Sequence, residues 1–256
     1  MAASYGELGY ARYPSLEGRS VFVTGGATGI GAAFVEAFRG QGARVAFIDR
    51  NVAAGRALAA RLNGVWFADV DVTDPGALEA SVEAARTAVG PLTVLINNVA
   101  NDTRHAPEDL DPSAWRANLA VNLDPVMAAS RAVKAGMDEA GGGSIINLSS
   151  LNALLGPADL PAYAAAKAAI LGLTKSLARA WGPDNIRVNA ITPGWVVTER
   201  QLALWLTPQA EADWMRQTAL KARIEPADVA RLALFLAADD SRMITGQNHV
   251  IDGGRT

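Results

Sequence analysis

Tyr163 and Lys167 stand four residues apart in an Ala-rich stretch typical of a helix, so both side chains are predicted on one face. Ser150 comes thirteen residues before Tyr163 and ends an apolar run typical of a buried strand. A free phenol has a pKa of about 10 and is a poor base at neutral pH, but a neighbouring ammonium favours the phenolate. The three residues predict removal of a hydroxyl proton by Tyr163, with Lys167 lowering its pKa and Ser150 holding the substrate oxygen. In isolation, this Tyr and Lys spacing is more typical of an exposed pair.

A glycine-rich turn lies between the predicted strand Ser20–Thr24 and the predicted helix Ile30–Gln41. Glycines let a backbone turn tightly and approach a pyrophosphate, while the start of a helix offers free N–H groups and the positive end of its dipole. The turn therefore predicts a dinucleotide site, and an ordinary glycine-rich turn is the alternative. The candidate cofactor residues here are Gly25, Thr28, Gly29, Ile30 and Gly31.

Asp49 ends the second predicted strand, twenty positions after Gly29. A carboxylate at this place accepts hydrogen bonds from ribose hydroxyls and repels a 2′-phosphate, which predicts NAD in preference to NADP. Arg50 follows directly and could pair with a phosphate, so the sequence leaves use of NADP open. The alternatives are a solvated loop carboxylate for Asp49 and a solvated cation for Arg50.

Short β-branched runs alternate with helical stretches along the chain. Their nearly continuous apolar character is typical of parallel strands covered on both faces. The predicted strands are Ser20–Thr24, Arg44–Asp49, Val65–Asp69, Val94–Asn97, Ser144–Ser149, Arg187–Ile191 and His249–Ile251. The predicted helices are Ile30–Gln41, Pro75–Val89 with Asp74 as N-cap, Ala114–Ala140, Ala162–Trp181 and Pro226–Ala238.

This alternation predicts an α/β fold, a doubly wound parallel sheet of seven strands with helices on both faces in a single domain. Residues 1–17 have no period and are predicted to form an N-terminal arm, which leaves residues 18–256 as the catalytic domain. Residues 196–224 interrupt the alternation and contain two tryptophans. An insertion of this length before the last helix is a natural lid over a cleft.

Composition narrows the class of protein further. The 256 residues carry a formal net charge of −3 with no basic block, which argues against a nucleic-acid partner. No apolar run approaches the roughly 18 residues of a membrane span, and residues 1–16 lack the pattern of a secretory signal. The absence of cysteine excludes disulfides and thiolate catalysis. We expect a cytoplasmic protein with no membrane partner.

The chain resembles the short-chain dehydrogenase/reductase family over about residues 16–254. The matching motifs are Thr24–Gly31, Asp71-Val72, Asn97-Asn98, Asn122, Ser150, Tyr163, Lys167, Pro193-Gly194, Thr198 and Asp252-Gly253-Gly254. The resemblance implies adenine contacts from Asp71 and Val72, and a place along the adenosine ribose for Asn97. The other cofactor residues implied are Asn98, Ala100, Tyr163, Lys167, Pro193, Gly194, Val196 and Thr198.

Two further points depend on the same resemblance. Asn122 is implied to hold a water that links Lys167 to solvent as a proton relay, whereas by itself it would be interpreted as a capping or helix-kink amide. The family usually has Asn-Asn-Ala-Gly where this chain has Asn97-Asn98-Val99-Ala100. We expect binding to survive, provided that the backbone tolerates a Cβ at Ala100.

The candidate substrate residues are polar or aromatic, and they resemble those of bacterial dehydrogenases that oxidise D-xylose, D-galactose, L-arabinose or L-rhamnose. A sugar needs many donors and acceptors together with an aromatic face. The alternatives are an internal ion-pair network of Asp102, Arg104 and His105, and a purely packing role for Trp205. With two histidines and no cysteine, no metal site is predicted. The candidates are Asn101, Asp102, Arg104, His105, Ser150, Asn152, Tyr163, Trp195, Gln201 and Trp205.

The sequence thus predicts an NAD-dependent sugar 1-dehydrogenase that oxidises an anomeric hydroxyl to a lactone. One alternative is an enzyme of the same family that acts on another polyol or a ketone. Another is an NAD-binding sensor without turnover, against which the complete set of acid–base residues counts. The resemblance also implies a homotetramer.

Overall fold

A computed structural model describes residues 9–256. Seven parallel strands form one sheet in the order β3-β2-β1-β4-β5-β6-β7. The predicted doubly wound α/β fold is therefore confirmed. The strands are β1 Ser20–Thr24, β2 Arg44–Asp49, β3 Trp66–Asp69, β4 Leu92–Asn97, β5 Gly143–Leu148, β6 Ile186–Pro193 and β7 Asn248–Ile251.

Helices cover both faces of this sheet. Those in residues 9–256 are α1 Gly29–Gly40, α2 Val52–Leu62, α3 Pro75–Val89, α4 Pro112–Asn122, α5 Asp124–Glu139, α6 Asn152–Leu155, α7 Pro161–Trp181, α8 Glu199–Leu204, α9 Pro208–Gln217 and α10 Pro226–Ala237. The Asp74 side chain accepts hydrogen bonds from the N–H groups of Gly76 and Ala77, as predicted for an N-cap. None of the helices in this part of the chain has the length and apolar character to cross a membrane.

Several helical segments differ from the prediction, among them the short helix α6, which no predicted helix covers. The single helix predicted over Ala114–Ala140 is wrong, because α4 ends at Asn122 and α5 begins at Asp124. Pro125 explains the break, since its ring would clash with the carbonyl four residues earlier and it lacks an N–H. The helix α2, with Asn51 as its N-cap, was not predicted at all.

The apolar core lies in two layers, one on each face of the sheet. Phe34 and Phe38 of α1 pack on one face, and Leu78 of α3 and Met137 of α5 pack on the other. Every residue of β1 is buried. Burial on both faces is the reason why the strands are nearly continuous apolar runs rather than alternating ones.

The described part of the predicted N-terminal arm, residues 9–17, packs against the domain. Leu16 is fully buried, and the backbone N–H of Tyr13 donates to the Gln41 side chain over 2.9 Å. Gln41 in turn donates to the carbonyl of Ala11. Residues 1–8 of the arm lie outside the described residues.

The segment predicted as a lid, residues 196–224, leaves the sheet and returns to the same place. Val196 and Ile224 form an isolated parallel bridge, and the N–H of Val197 donates to the carbonyl of Ile224 over 2.8 Å. Between these anchors the chain forms α8 and α9. We call residues 196–224 the lid.

Candidate active site

A cleft of about 840 Å³ opens at the carboxyl ends of the strands, where ligands bind in open α/β sheets. Most of the predicted site residues line it, whereas Asn97, Asn122, His105 and Trp205 do not. The predicted residues along the cleft are Gly25, Thr28, Gly29, Ile30, Gly31, Asp49, Arg50, Asp71, Val72, Asn98, Ala100, Asn101, Asp102, Arg104, Ser150, Asn152, Tyr163, Lys167, Pro193, Gly194, Trp195, Val196, Thr198 and Gln201.

The glycine turn forms one end of the cleft. Gly25 and Gly29 have φ angles of +67° and +57°, which side chains rarely adopt. A Cβ on Gly31 would lie 1.8 Å from the Gly25 carbonyl oxygen, so only glycine fits there. The Thr28 side chain does not cap α1, which leaves N–H groups of its first turn for a ligand. This turn provides the close approach and the donors that a pyrophosphate requires.

Asp49 stands beside this turn at the end of β2. One carboxylate oxygen accepts from the N–H of Ala27 over 3.0 Å, and the other accepts from the N–H of Asn51 over 2.9 Å. The carboxylate therefore has a fixed position at the cleft. Asp71, two residues after the end of β3, also lines the cleft. Two hydrogen bonds from Thr73 lower the pKa of Asp71, and the charge of Arg50 lowers it further.

Asn97 and Asn98 point in opposite directions at the end of β4, as successive strand residues do. The Asn98 side chain donates to the carbonyl of Gly25 over 2.9 Å and to that of Thr24 over 3.2 Å, so it braces the glycine turn. Asn97 is buried and donates to Asn147 over 2.9 Å. The expected place of Asn97 along the adenosine ribose is therefore wrong, because its side chain lies in the core.

Tyr163 and Lys167 lie on one face of α7, as their spacing predicts. The Lys167 Nζ lies 5.7 Å from the centre of the Tyr163 ring and donates to the carbonyl oxygen of Leu148 over 2.7 Å. Ser150 follows β5 and its hydroxyl hydrogen-bonds the Tyr163 side chain. Both Tyr163 and Lys167 are buried, so these two titratable side chains lie in a shielded part of the cleft.

Asn122 is fully buried at the break between α4 and α5. Its amide oxygen accepts from the N–H of Asn101 over 2.8 Å, and its amide nitrogen donates to the Asn101 carbonyl over 3.1 Å and to the Asn118 side chain over 2.9 Å. These contacts fix the loop that follows β4. They correspond to the capping alternative, and the relay role of Asn122 stays a prediction.

A chain of hydrogen bonds joins the loop after β4 to the lid. Trp195 Nε1 donates to Gln201 over 2.7 Å, and Gln201 donates to Asp102 over 2.7 Å. Arg200 donates to the second oxygen of Asp102 through two nitrogens, each 3.2 Å away. Arg200 is not among the predicted site residues, although it lies in the lid next to the predicted residue Gln201.

Of the remaining predicted substrate residues, Arg104 lines the cleft, whereas His105 and Trp205 pack beside it. Arg104 forms an ion pair with Asp159 over 2.7 Å, and its guanidinium lies 4.5 Å from the centre of the Trp205 ring. The backbone N–H of His105 donates to the carbonyl of Asp159. Trp205 therefore packs the lid on the body, which was the alternative interpretation. The ion-pair alternative is right in kind, but Asp102 and Arg104 each pair with another residue.

Comparisons with known proteins agree with this geometry. A family model described as enoyl-(acyl carrier protein) reductase matches residues 25–256. The chain is 45% identical to a probable galactose dehydrogenase, GalD, of Rhizobium meliloti (strain 1021), over 95% of this chain and 97% of that one. It is 44% identical to the D-xylose 1-dehydrogenase of Caulobacter vibrioides (strain NA1000 / CB15N), over 95% and 98%.

A solved structure gives the same result. The structure of a 7 alpha-hydroxysteroid dehydrogenase complexed with NADH and 7-oxo glycochenodeoxycholic acid matches with a TM-score of 0.90 at 28% identity, over 94% of this chain and 96% of that one. The chain belongs to the short-chain dehydrogenase/reductase family. The resemblance seen in its motifs is thereby confirmed, and so is its class, an oxidoreductase that acts on CH–OH groups.

The one departure from the family motif causes no backbone strain in this short-chain dehydrogenase. Among the described residues other than glycine, only Asn63 and Asn185 have a positive φ, so Ala100 carries its Cβ in an ordinary conformation. Val99 lies against the glycine turn, where its Cγ2 is 2.9 Å from the position of a Cβ on Gly25. Only glycine fits at position 31, and Val99 packs against Gly25. The turn therefore leaves a backbone cradle that fits a nicotinamide coenzyme.

Burial sets the protonation of the central pair. It raises the pKa of Tyr163 to about 12, against a smaller lowering by the Ser150 hydrogen bond, and the charge of Asp102 raises it further. Burial also lowers the pKa of Lys167 to about 7. Desolvation penalises both charged forms, and the acidification of Tyr163 by Lys167 together with an oxidised nicotinamide stays a prediction.

Metal ligation has no candidate in residues 9–256. No group of three or more His, Cys, Asp or Glu side chains there could hold an ion. The two histidine ring nitrogens in this part of the chain that are buried without a hydrogen-bond partner, His105 Nε2 and His249 Nε2, belong to separate elements.

The low pKa of Lys167 predicts a pH dependence of stability. Between pH 7 and 9.5 the unfolded chain binds more protons at this residue than the folded chain, so the free energy of unfolding should rise with pH. The slope from this group reaches at most about 1.4 kcal/mol per pH unit. We expect Lys167→Met to remove this rise in urea unfolding curves measured at pH 7, 8, 9 and 9.5.

The matched control is Lys175→Met, an exposed position on the same helix. This variant should keep the wild-type pH dependence. Parallel stability profiles for the wild type and Lys167→Met would show that Lys167 keeps an ordinary pKa in the folded protein.

Proposed function

We propose that this short-chain dehydrogenase oxidises the anomeric hydroxyl of a neutral aldopyranose to the lactone, with NAD as the oxidant. The observation that carries the proposal is the polar wall of the cleft that also holds Tyr163 and Ser150, where Asp102 and Gln201 present polar groups beside the Trp195 ring. A polyhydroxyl substrate needs this combination of donors, acceptors and an aromatic face. The names of the similar galactose and xylose dehydrogenases support the same substrate class.

In this proposal the side chains of the cleft divide the work. Ser150 holds the anomeric oxygen, and Tyr163 takes its proton. Lys167 holds the ribose of the coenzyme and, in its protonated form, contributes positive charge next to Tyr163, while Asn122 supports proton exchange with solvent. A bound nicotinamide supplies the acceptor for the hydrogen and two electrons that leave the carbon. The pKa of about 12 for Tyr163 means that cationic stabilisation has to offset the effect of its burial.

A substrate screen tests the proposed substrate class. The protein would be incubated with NAD and with D-galactose, D-xylose, L-arabinose, L-rhamnose, galactitol, a secondary alcohol or a hydroxysteroid, and NADH absorbance would be followed. We expect at least one aldose to be oxidised and its lactone to accumulate, because the wall of the cleft is polar.

Each other outcome has a definite meaning. Turnover of the polyol, the alcohol or the steroid alone would overturn the sugar assignment and keep the dehydrogenase. Binding of NAD without oxidation of any compound would favour the sensor alternative.

Replacement of the proposed base gives a second prediction. Tyr163→Phe keeps the ring but removes the group that accepts the proton, so kcat/KM should fall by about 10²–10⁴-fold. Binding of NAD, measured by calorimetry, should change little. Tyr13→Phe, which lies outside the cleft, is the control and should retain full activity. Near-normal turnover by Tyr163→Phe would refute the assignment of the base.

The preference for NAD is proposed from the position of Asp49. A carboxylate fixed there accepts from ribose hydroxyls and repels a 2′-phosphate, while Arg50 beside it allows some use of NADP. We expect Asp49→Ala to raise the ratio of kcat/KM with NADP to that with NAD by at least about tenfold, equivalent to about 1.4 kcal/mol.

Asp49 also accepts a hydrogen bond from the N–H of Ala27, so it could act by supporting the glycine turn. The ratio of the two kcat/KM values separates this role from recognition of the coenzyme ribose. If Asp49 only supports the turn, activity with both coenzymes should fall together and the ratio should stay constant. Asp69→Asn is the control, because Asp69 ends β3 in register with Asp49 but does not line the cleft. Asp69→Asn should change neither kcat/KM with NAD nor kcat/KM with NADP.

We also propose a homotetramer, as the resemblance to the family implies, and a cytoplasmic location, as the composition of the sequence predicts. Trp115 on α4 and Met127 on α5 are 38% and 41% exposed, and large apolar side chains at such exposure suit a face that a second copy covers. Neither a nucleic acid nor a membrane is proposed as a partner.

A further inference from the structure

We propose that Asp102 is a positioning residue that holds the lid over the cleft and links lid closure to the release of the proton from Tyr163. The inference rests on the proposed function in so far as it takes Tyr163 as the base. The assignment starts from geometry, because Asp102 joins the loop after β4 to the first helix of the lid.

Both carboxylate oxygens of Asp102 accept hydrogen bonds from the lid. Arg200 donates to Oδ1 through Nε and Nη2, each at 3.2 Å, and Gln201 donates to Oδ2 over 2.7 Å. The Gln201 oxygen accepts from Trp195, so the indole is held by the same chain of contacts. We call the contacts among Asp102, Trp195, Arg200 and Gln201 the Asp102 latch. They hold these side chains of the cleft wall in fixed orientations.

The latch is suited to opening and closing. The side chains of Asp102 and Arg200 are 25% and 53% exposed, and ion pairs in contact with water contribute only modestly to stability. A second weak contact lies beside it, where Arg104 stacks on the Trp205 ring. Binding of a substrate could therefore shift the lid without a large energetic penalty.

Asp102 also acts on the base. Tyr163 is faced by Lys167 from its own helix, by Ser150 from the turn after β5 and by Asp102 from the loop after β4, and the negative charge of Asp102 raises its pKa. Of the other charged side chains along the cleft, Asp49, Arg50 and Asp71 lie at the end formed by the glycine turn, Asp159 is paired with Arg104, and Glu199 and Arg200 belong to the lid.

The closed lid changes this electrostatic balance. In the latch, the guanidinium of Arg200 lies against the carboxylate and compensates part of its charge. An open lid would leave Asp102 uncompensated, and Tyr163 would then hold its proton more strongly. Proton transfer is therefore favoured when the lid covers the cleft, where water is also excluded.

Two variants separate positioning from a merely structural role. Asp102→Asn breaks the ion pair and removes the charge, so KM for the sugar should rise by about fivefold and the midpoint of the rising limb of kcat/KM against pH should move down by about half a unit. Arg200→Gln breaks the same ion pair but leaves the negative charge of Asp102 in place. Its KM should rise similarly, with the midpoint at or above the wild-type value.

The conservative variant Arg200→Lys restores a cation and should recover part of the loss in KM. Glu199→Gln is the matched control, since it removes a neighbouring charge in the lid and leaves the latch intact. Equal pH profiles for the wild type, Asp102→Asn and Arg200→Gln, with or without a rise in KM, would overturn the link to Tyr163.

A readout independent of activity tests the latch itself. Trypsin cleaves after arginine, and the pairing with Asp102 restricts access to the bond that follows Arg200. In the native protein we expect Asp102→Asn to increase cleavage after Arg200 severalfold, as measured by mass spectrometry, and Glu199→Gln to leave it unchanged. Equal cleavage in the wild type and Asp102→Asn, at equal melting temperature, would overturn the latch. Increased cleavage in a protein that oxidises no aldose would support the latch and overturn the proposed function.

Discussion

From β1 the chain adds β2 and β3 on one side of the sheet, and then β4 to β7 on the other side. The contacts between the ends of β1 and β4, where this order switches, determine where the site can be. The turn after β1 and the loop after β4 leave the sheet side by side. Gly31 lies so close to the Gly25 carbonyl that no side chain fits between them, and Asn98 donates to the same carbonyl. This close packing keeps the start of α1 open toward the cleft and fixes the loop that carries Asp102.

Desolvation is the cost of placing two titratable side chains, Tyr163 and Lys167, on a buried helix face. Burial disfavours the charged form of each group, which raises the pKa of Tyr163 and lowers that of Lys167. The hydroxyl of Ser150 and the carbonyl of Leu148 provide hydrogen bonds to the pair but no compensating charge. In the proposed reaction the pair therefore depends on cationic charge in the cleft, which would tie proton transfer to occupancy of the coenzyme site.

Local sequence signals predicted the parts of the fold that local physics determines. Asp74 before Pro75 marked the start of α3, and the glycine turn marked the start of α1 to within one residue. The break before α5 was missed, although Pro125 was a sufficient signal for it. Asn97 was misplaced because the alternation of side chains along β4 was not applied to it.

The contacts of the substrate wall could not be predicted in the same way. Arg200 and Asp102 are 98 positions apart, and no periodicity relates a loop to a helix of the lid at such a distance. Motifs indicated which residues gather at the cleft, but not which of them pair. The tertiary fold determined that Arg104 binds Asp159 rather than Asp102.

These pairings change how the polar wall can recognise a sugar. Trp195, Gln201 and Asp102 already satisfy one another, so their orientations are set before a substrate arrives. A carboxylate has more acceptor positions than the latch uses, and these remain for hydroxyl groups. Preorganised groups lose little freedom on binding, which makes recognition sensitive to the positions of hydroxyls rather than to their number. Selectivity among aldoses would then depend on the geometry of the closed lid as much as on the identity of the residues that line the cleft.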